Sequence, residues 1–84
     1  MNLTIEKIAD YSVVTVGDER IDAHNSDELK QALLRMIDGG DTKLVIKLQQ
    51  VRFIDSSGLG ALLSANKQVV LKSGKLVLAG IQKQ

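Results

Sequence analysis

Apolar and polar positions alternate along Leu3 to Ile8 (Leu-Thr-Ile-Glu-Lys-Ile), and a β-branched run, Ser12 to Val16, follows the polar turn Ala9-Asp10-Tyr11. This pattern predicts a pair of strands that Gly17 and Asp18 bring to an end. A polar linker, Glu19 to His24, leads to Asn25, a helix-capping residue with Glu28 three positions on. Leu29, Ala32, Leu33, Met36 and Ile37 then recur at helical spacing. Gly39-Gly40 stops this first helix. Lys43 to Leu48 carries the buried-strand signal Leu44-Val45-Ile46, and Val51, Phe53 and Ile54 extend the apolar character to a serine-rich turn. A second helix is expected from about Ser57 to Lys72, with Leu59, Leu62, Leu63, Asn66, Val69 and Val70 on one face and Gly74 as a left-handed C-cap. Lys75 to Ala79 reads as the last strand. The order β-β-α-β-α-β implies a single α/β domain with right-handed crossovers, uninterrupted by repeats or low-complexity segments.

Length and composition narrow the possibilities. Eighty-four residues suffice for one small domain with one core, and 44% hydrophobic residues with almost no aromatics mean that aliphatic packing must stabilise it. The net charge of +1 is spread among acids and bases, which argues against a nucleic-acid stripe or a polybasic membrane patch. Cysteine is absent, so disulfides and thiolate metal sites are excluded and a reducing cytoplasm is the expected location. No signal-peptide pattern or membrane-length apolar run appears. Arg20, Arg35 and Arg52 read as solvated surface residues.

The chemistry concentrates in Phe53-Ile54-Asp55-Ser56-Ser57-Gly58-Leu59-Gly60, where a strand opens into a helix. Asp55, Ser56 and Ser57 are all competent N-caps, and one suffices, so the cluster is either redundant capping or a phosphoacceptor site at a helix N-terminus. Gly58 and Gly60 would let a partner approach the hydroxyls, while Leu59 either docks on that partner or enters the core. Catalysis fits poorly. A nucleophile elbow needs glycine two residues before the serine, where Ile54 stands before Ser56, and the single histidine, His24, sits in a polar loop. One histidine with scattered carboxylates gives no metal-ligand spacing. Gly58-x-Gly60 without further glycines or a lysine is not a nucleotide loop. No cofactor is implied, and the chain reads as a binding protein, not an enzyme.

Those eight residues, with Leu44-Val45-Ile46 before them, resemble the signature of STAS-domain anti-sigma factor antagonists. Gly17 with Ile21-Asp22, the helix carrying Leu29 and Leu33, and Gly74-Lys75-Leu76-Val77-Leu78-Ala79-Gly80-Ile81 resemble that family in order and spacing. The resemblance spans residues 1–84 and implies a mixed sheet with helices packed on it. It implies that Ser56, with Ser57 as second choice, is phosphorylated by a partner that is both anti-sigma factor and histidine-kinase-like ATPase. The unphosphorylated form would bind that partner and free a sigma factor, and a metal-dependent serine phosphatase would reset the switch. Asp22 matches an acidic position that in the family helps form the partner surface, although on sequence alone it is equally a loop aspartate. Asp55, Ser57, Gly58, Leu59 and Gly60 complete the expected docking surface.

Two departures stand out. Lys47-Leu48-Gln49-Gln50 replaces the Asp-Leu-Ser-Gly common on the family's central strand. Relatives usually continue past the equivalent of Gln84 into another helix and a short strand, so a minimal or truncated domain lacking that helix is expected. An uncovered apolar surface would then favour a homodimer or exchanged oligomer. The alternative reading is a STAS module that binds without switching, as a stress-signalling scaffold or transporter accessory subunit.

Overall fold

The computed structural model describes residues 1–81. Its elements are β1 (Leu3–Ile8), β2 (Tyr11–Val16), β3 (Arg20–Ile21), α1 (Ser26–Asp38), β4 (Lys43–Lys47), β5 (Phe53–Ile54), α2 (Ser56–Leu71) and β6 (Lys75–Ala79). The main sheet has the order β1-β2-β4-β6, with β1 antiparallel to β2 and the other pairs parallel, so it is mixed as expected. Register aligns Ile5, Val14, Ile46 and Leu78 in one row across all four strands. Val14 and Ile46 are fully buried, whereas Ile5 and Leu78 at the sheet edges are 52% and 36% exposed. The helices therefore cover the central strands and leave the margins open. Leu29, Leu33 and Ile37 of α1 and Leu62, Ala65 and Val69 of α2 share one aliphatic core with Val14, Val16, Leu44 and Ile46.

Four local readings need correction. The stretch expected to be a polar linker contains β3, whose Ile21 is fully buried; it pairs in parallel with β5 to form a separate two-stranded sheet. Two residues are too few to display a period of two. Asn25 is the N-cap of α1 by position, but its side chain makes no capping bond, so no capping box with Glu28 forms. The left-handed residue after α2 is Ser73 (φ 60°), not Gly74. Gly74 is required for a different reason: a Cβ there would meet the Thr42 carbonyl oxygen and the Val69 side chain as β6 begins beside β4. On α2, Leu62 and Val69 of the expected face are buried, joined by Gly58, Ala61 and Ala65, whereas Leu59, Leu63, Asn66 and Val70 face solvent. The small residues on the buried face let α2 approach its neighbours closely.

Candidate functional site

The site is built by the β3–β5 pair. Arg20 lies opposite Phe53 and Ile21 opposite Ile54, so Asp22 and Asp55 follow directly at the same end of two parallel strands. The Asp55 amide donates to the Ile21 carbonyl at 3.1 Å, and the Arg52 and Phe53 amides donate to the Glu19 carbonyl at 2.7 and 3.2 Å. Each strand then launches a helix, α1 through residues 22–25 and α2 directly from Asp55. Carboxyl ends of neighbouring parallel strands are where α/β folds place their binding sites.

Of the three candidate caps, Asp55 does the capping. It is extended (φ −93°, ψ −174°), and its carboxylate accepts the Gly58 amide at 3.0 Å. Ser56 and Ser57 are the first two helical residues, and both are exposed. They diverge in direction, since Ser57 lines a groove between α1 and α2 and Ser56 does not. Gly58 is buried, which corrects its expected place on an open surface. A Cβ there would lie 2.7 Å from Ile54 Cγ2, 2.8 Å from Ile21 Cγ2 and 2.9 Å from the Ile21 carbonyl oxygen. Its lack of a side chain seats the helix on the β3–β5 ribbon. Gly60 is open, with nothing within 4 Å of a Cβ position, and Leu59 is 51% exposed and so stays out of the core.

Asp22 is a structured loop residue. Its carboxylate accepts the His24 amide at 3.0 Å, lies 3.3 Å from His24 Nδ1, and meets Arg20 Nε at 3.5 Å. The His24 amide, against an opposing effect of burial, holds the Asp22 carboxyl below its ordinary value, with further help from the His24 ring and Arg20. Asn25 bridges this loop, its Oδ1 accepting the Asp22 amide at 2.9 Å and its Nδ2 donating to the Arg20 carbonyl at 2.8 Å. That bridging role is why its side chain is not available to cap α1. Arg20 is more than a solvated charge, because its guanidinium stacks 4.2 Å from the centroid of the Phe53 ring. Nothing in the sequence pattern signalled Arg20 and Phe53 as a pair, since their contact depends on the unrecognised β3.

The groove beside Ser57 has a volume of about 320 Å³ and is lined by Ser26, Asp27 and Lys30 of α1 and by Ser57, Gly60, Ala61 and Ser64 of α2. Among the described residues no cluster of His, Cys, Asp or Glu could hold a metal ion, and no helix is long and apolar enough to cross a membrane.

Comparison with known proteins gives a consistent result. The sequence pattern of the STAS domain matches residues 2–84. An anti-sigma-B factor antagonist of Staphylococcus epidermidis is 31% identical over 86 residues, a match covering all of this chain and 79% of the relative. The structure of the anti-sigma factor antagonist SpoIIAA in its unphosphorylated form superposes with a TM-score of 0.81 at 19% identity, covering 98% of this chain and 76% of that one. The phosphorylated form of the Bacillus protein gives 0.78 at 19% identity over 96% and 74%. At that identity the structural likeness speaks for the fold.

Proposed function

This chain belongs to the STAS domain family, and on that premise we propose that it acts as an anti-sigma factor antagonist switched off by phosphorylation of Ser56. The unphosphorylated protein binds an anti-sigma factor of histidine-kinase-like ATPase fold and thereby releases a sigma factor. The same partner transfers the γ-phosphoryl group of ATP to Ser56 Oγ, leaving ADP, and a metal-dependent serine phosphatase reverses the step. Asp22, Ser57, Leu59 and Gly60 form the docking surface around Ser56, while Asp55 and Gly58 hold its backbone in place.

The observation that carries this reading is the division of tasks at the start of α2. Because the Asp55 carboxylate already holds the Gly58 amide, the exposed Ser56 hydroxyl has no capping duty and can be modified without uncapping the helix. A phosphate there adds about −1.5 to −2 charges beside the helix N-terminus, which tolerates them. The same charge lies beside Asp55 and turns the docking surface against an acidic or desolvated partner site. Folding would persist while binding is lost.

The test is mass spectrometry after incubation with ATP and each histidine-kinase-like anti-sigma protein of the same cell, paired with a binding assay. One phosphate on Ser56, absent in Ser56→Ala, with binding lost in the phosphoform, supports the switch. Phosphate mapping elsewhere, or binding that is unchanged by modification of Ser56, would overturn it.

A further inference from the structure

The groove between the first turns of α1 and α2 borders the proposed docking surface at Ser57 and Gly60 but is not lined by Ser56. Its volume of about 320 Å³ falls at the lower end of the range of roughly 300–1,000 Å³ typical of ligand pockets. Ser26 is only 9% exposed, yet its hydroxyl makes no hydrogen bond to any other described residue. It is not sealed in the core either, because every side-chain nitrogen or oxygen shut off from solvent among the described residues has a partner. The hydroxyl therefore opens into the groove that it lines, and buried hydroxyls ordinarily find a partner. Ser57 and Ser64 add two more hydroxyls from the opposite wall, and Lys30 adds an ammonium that forms no ion pair with a described residue. Both helices begin at this end, so the positive ends of two helix dipoles lie beside it, although the Gly58 and Ser26 amides are already held by the Asp55 carboxylate and the Asp22 carbonyl. Gly60 leaves the floor clear. One acid, Asp27, also lines the groove, and it is exposed to water, which screens it.

We propose that this groove binds a phosphoryl-type oxyanion, with the hydroxyls of Ser26, Ser57 and Ser64 as hydrogen-bond donors and Lys30 as the counter-charge. The anion is either free in solution or carried covalently on Ser57, whose side chain lines the groove. Ser26, Lys30 and Ser64, which the Ser56 switch does not use, define the site, so it stands whether or not Ser56 is modified.

Two arms of one experiment separate the sources, both in a Ser56→Ala background so that the switch cannot contribute. In the first, amide resonances are followed by NMR during titration with inorganic phosphate, with ionic strength held constant by chloride. Saturable shifts confined to the first turns of α1 and α2, weakened at least fivefold by Lys30→Gln and by Ser26→Ala, assign the site to a free anion. In the second, the chain is synthesised with phosphoserine at position 57. A phosphorus titration midpoint below that of a matching short peptide, restored by Lys30→Gln, assigns it to the covalent group. Lys30 is half-buried but forms no ion pair with a described residue, so its replacement by glutamine should leave the rest of the spectrum unchanged. If neither arm depends on Lys30, the proposal is wrong.

Discussion

The Asp55 carboxylate accepts the Gly58 amide at 3.0 Å, and this bond decides which of three adjacent capping residues is structural. Asp55→Ala should therefore destabilise the domain by about 1 kcal/mol, within the range of roughly 0.5–2 for lost caps. Ser56→Ala and Ser57→Ala, made at exposed first-turn positions, should each change stability by less than about 0.5 kcal/mol. Urea unfolding of the three variants checks the assignment. A cost at Ser56 equal to that at Asp55 would mean that the serine shares the capping.

The two glycines flanking Leu59 have opposite roles. Gly58→Ala would push a methyl group to within 2.7–2.9 Å of Ile54 and the Ile21 side chain and carbonyl, so a loss of about 1–3 kcal/mol is expected. Gly60→Ala meets nothing within 4 Å and replaces the poorest non-proline helix former with the best. It should gain about 0.4–1 kcal/mol. Thermal unfolding of the pair, run side by side, should give shifts of opposite sign.

Ser56→Asp places a fixed negative charge at the first position of α2. The domain should remain folded and gain about 0.3–1 kcal/mol at low salt, a gain that fades as salt screens the helix dipole. On the proposed function, the variant should at the same time lose affinity for the anti-sigma partner. A Ser56→Asp protein that unfolds would show that charge acts on the fold itself instead of on docking.

How far the sequence revealed this arrangement depended on element length and on residue size. The full bounds of β1 and β6 were legible because apolar and polar residues alternate through β1 and the apolar run Leu76-Val77-Leu78 fills β6. β3 and β5 were not, because a two-residue strand has no period and its register comes from tertiary pairing. The serine turn was legible as a helix start, but only the geometry could choose Asp55 over Ser56 as the cap and send Ser57 and Ser56 in different directions. The packed face of α2 was misread because Gly58, Ala61 and Ala65 carry little hydrophobic signal, while the larger Leu59, Leu63 and Val70 advertise a face that is open. Close helix packing selects small residues, and a hydrophobicity pattern underweights them.

Acid should weaken the fold through three carboxylates. Asp41 lies below its ordinary value of 3.8 because Lys7 and then Ser12 donate hydrogen bonds to it, each at 3.0 Å; Asp10 is lowered chiefly by Lys43, and Asp22 chiefly by the His24 amide. A carboxylate depressed in the folded state binds fewer protons there than in the unfolded chain. Its stabilisation is therefore complete above the unfolded value and is lost as pH falls through the lower folded value. Stability should be flat near neutrality on this account and decline below about pH 4. Asp41→Asn should lower stability at pH 7 and make the decline shallower. Denaturant midpoints between pH 2.5 and 7 measure both effects, and an unchanged acid slope would rule Asp41 out as a contributor.

Leu62 and Leu63 are adjacent on α2 and should behave as different kinds of residue. Leu62 is 4% exposed and belongs to the core cluster, so Leu62→Ala removes packed methyl groups and should cost about 2–5 kcal/mol. Leu63 is 68% exposed, and Leu63→Ala should cost less than about 0.5 kcal/mol. Leu59 and Leu63 are one helical turn apart on the same exposed face, which runs away from Ser56. The proposed docking surface includes Leu59, and the exposed apolar face continues from it to Leu63, so Leu59→Ala and, through that continuation, Leu63→Ala should weaken binding at least tenfold while the unfolding midpoint stays near wild type. Isothermal titration of each variant with the partner, alongside urea unfolding, separates the two roles. A Leu63→Ala protein that binds normally would confine docking to the first turn of the helix.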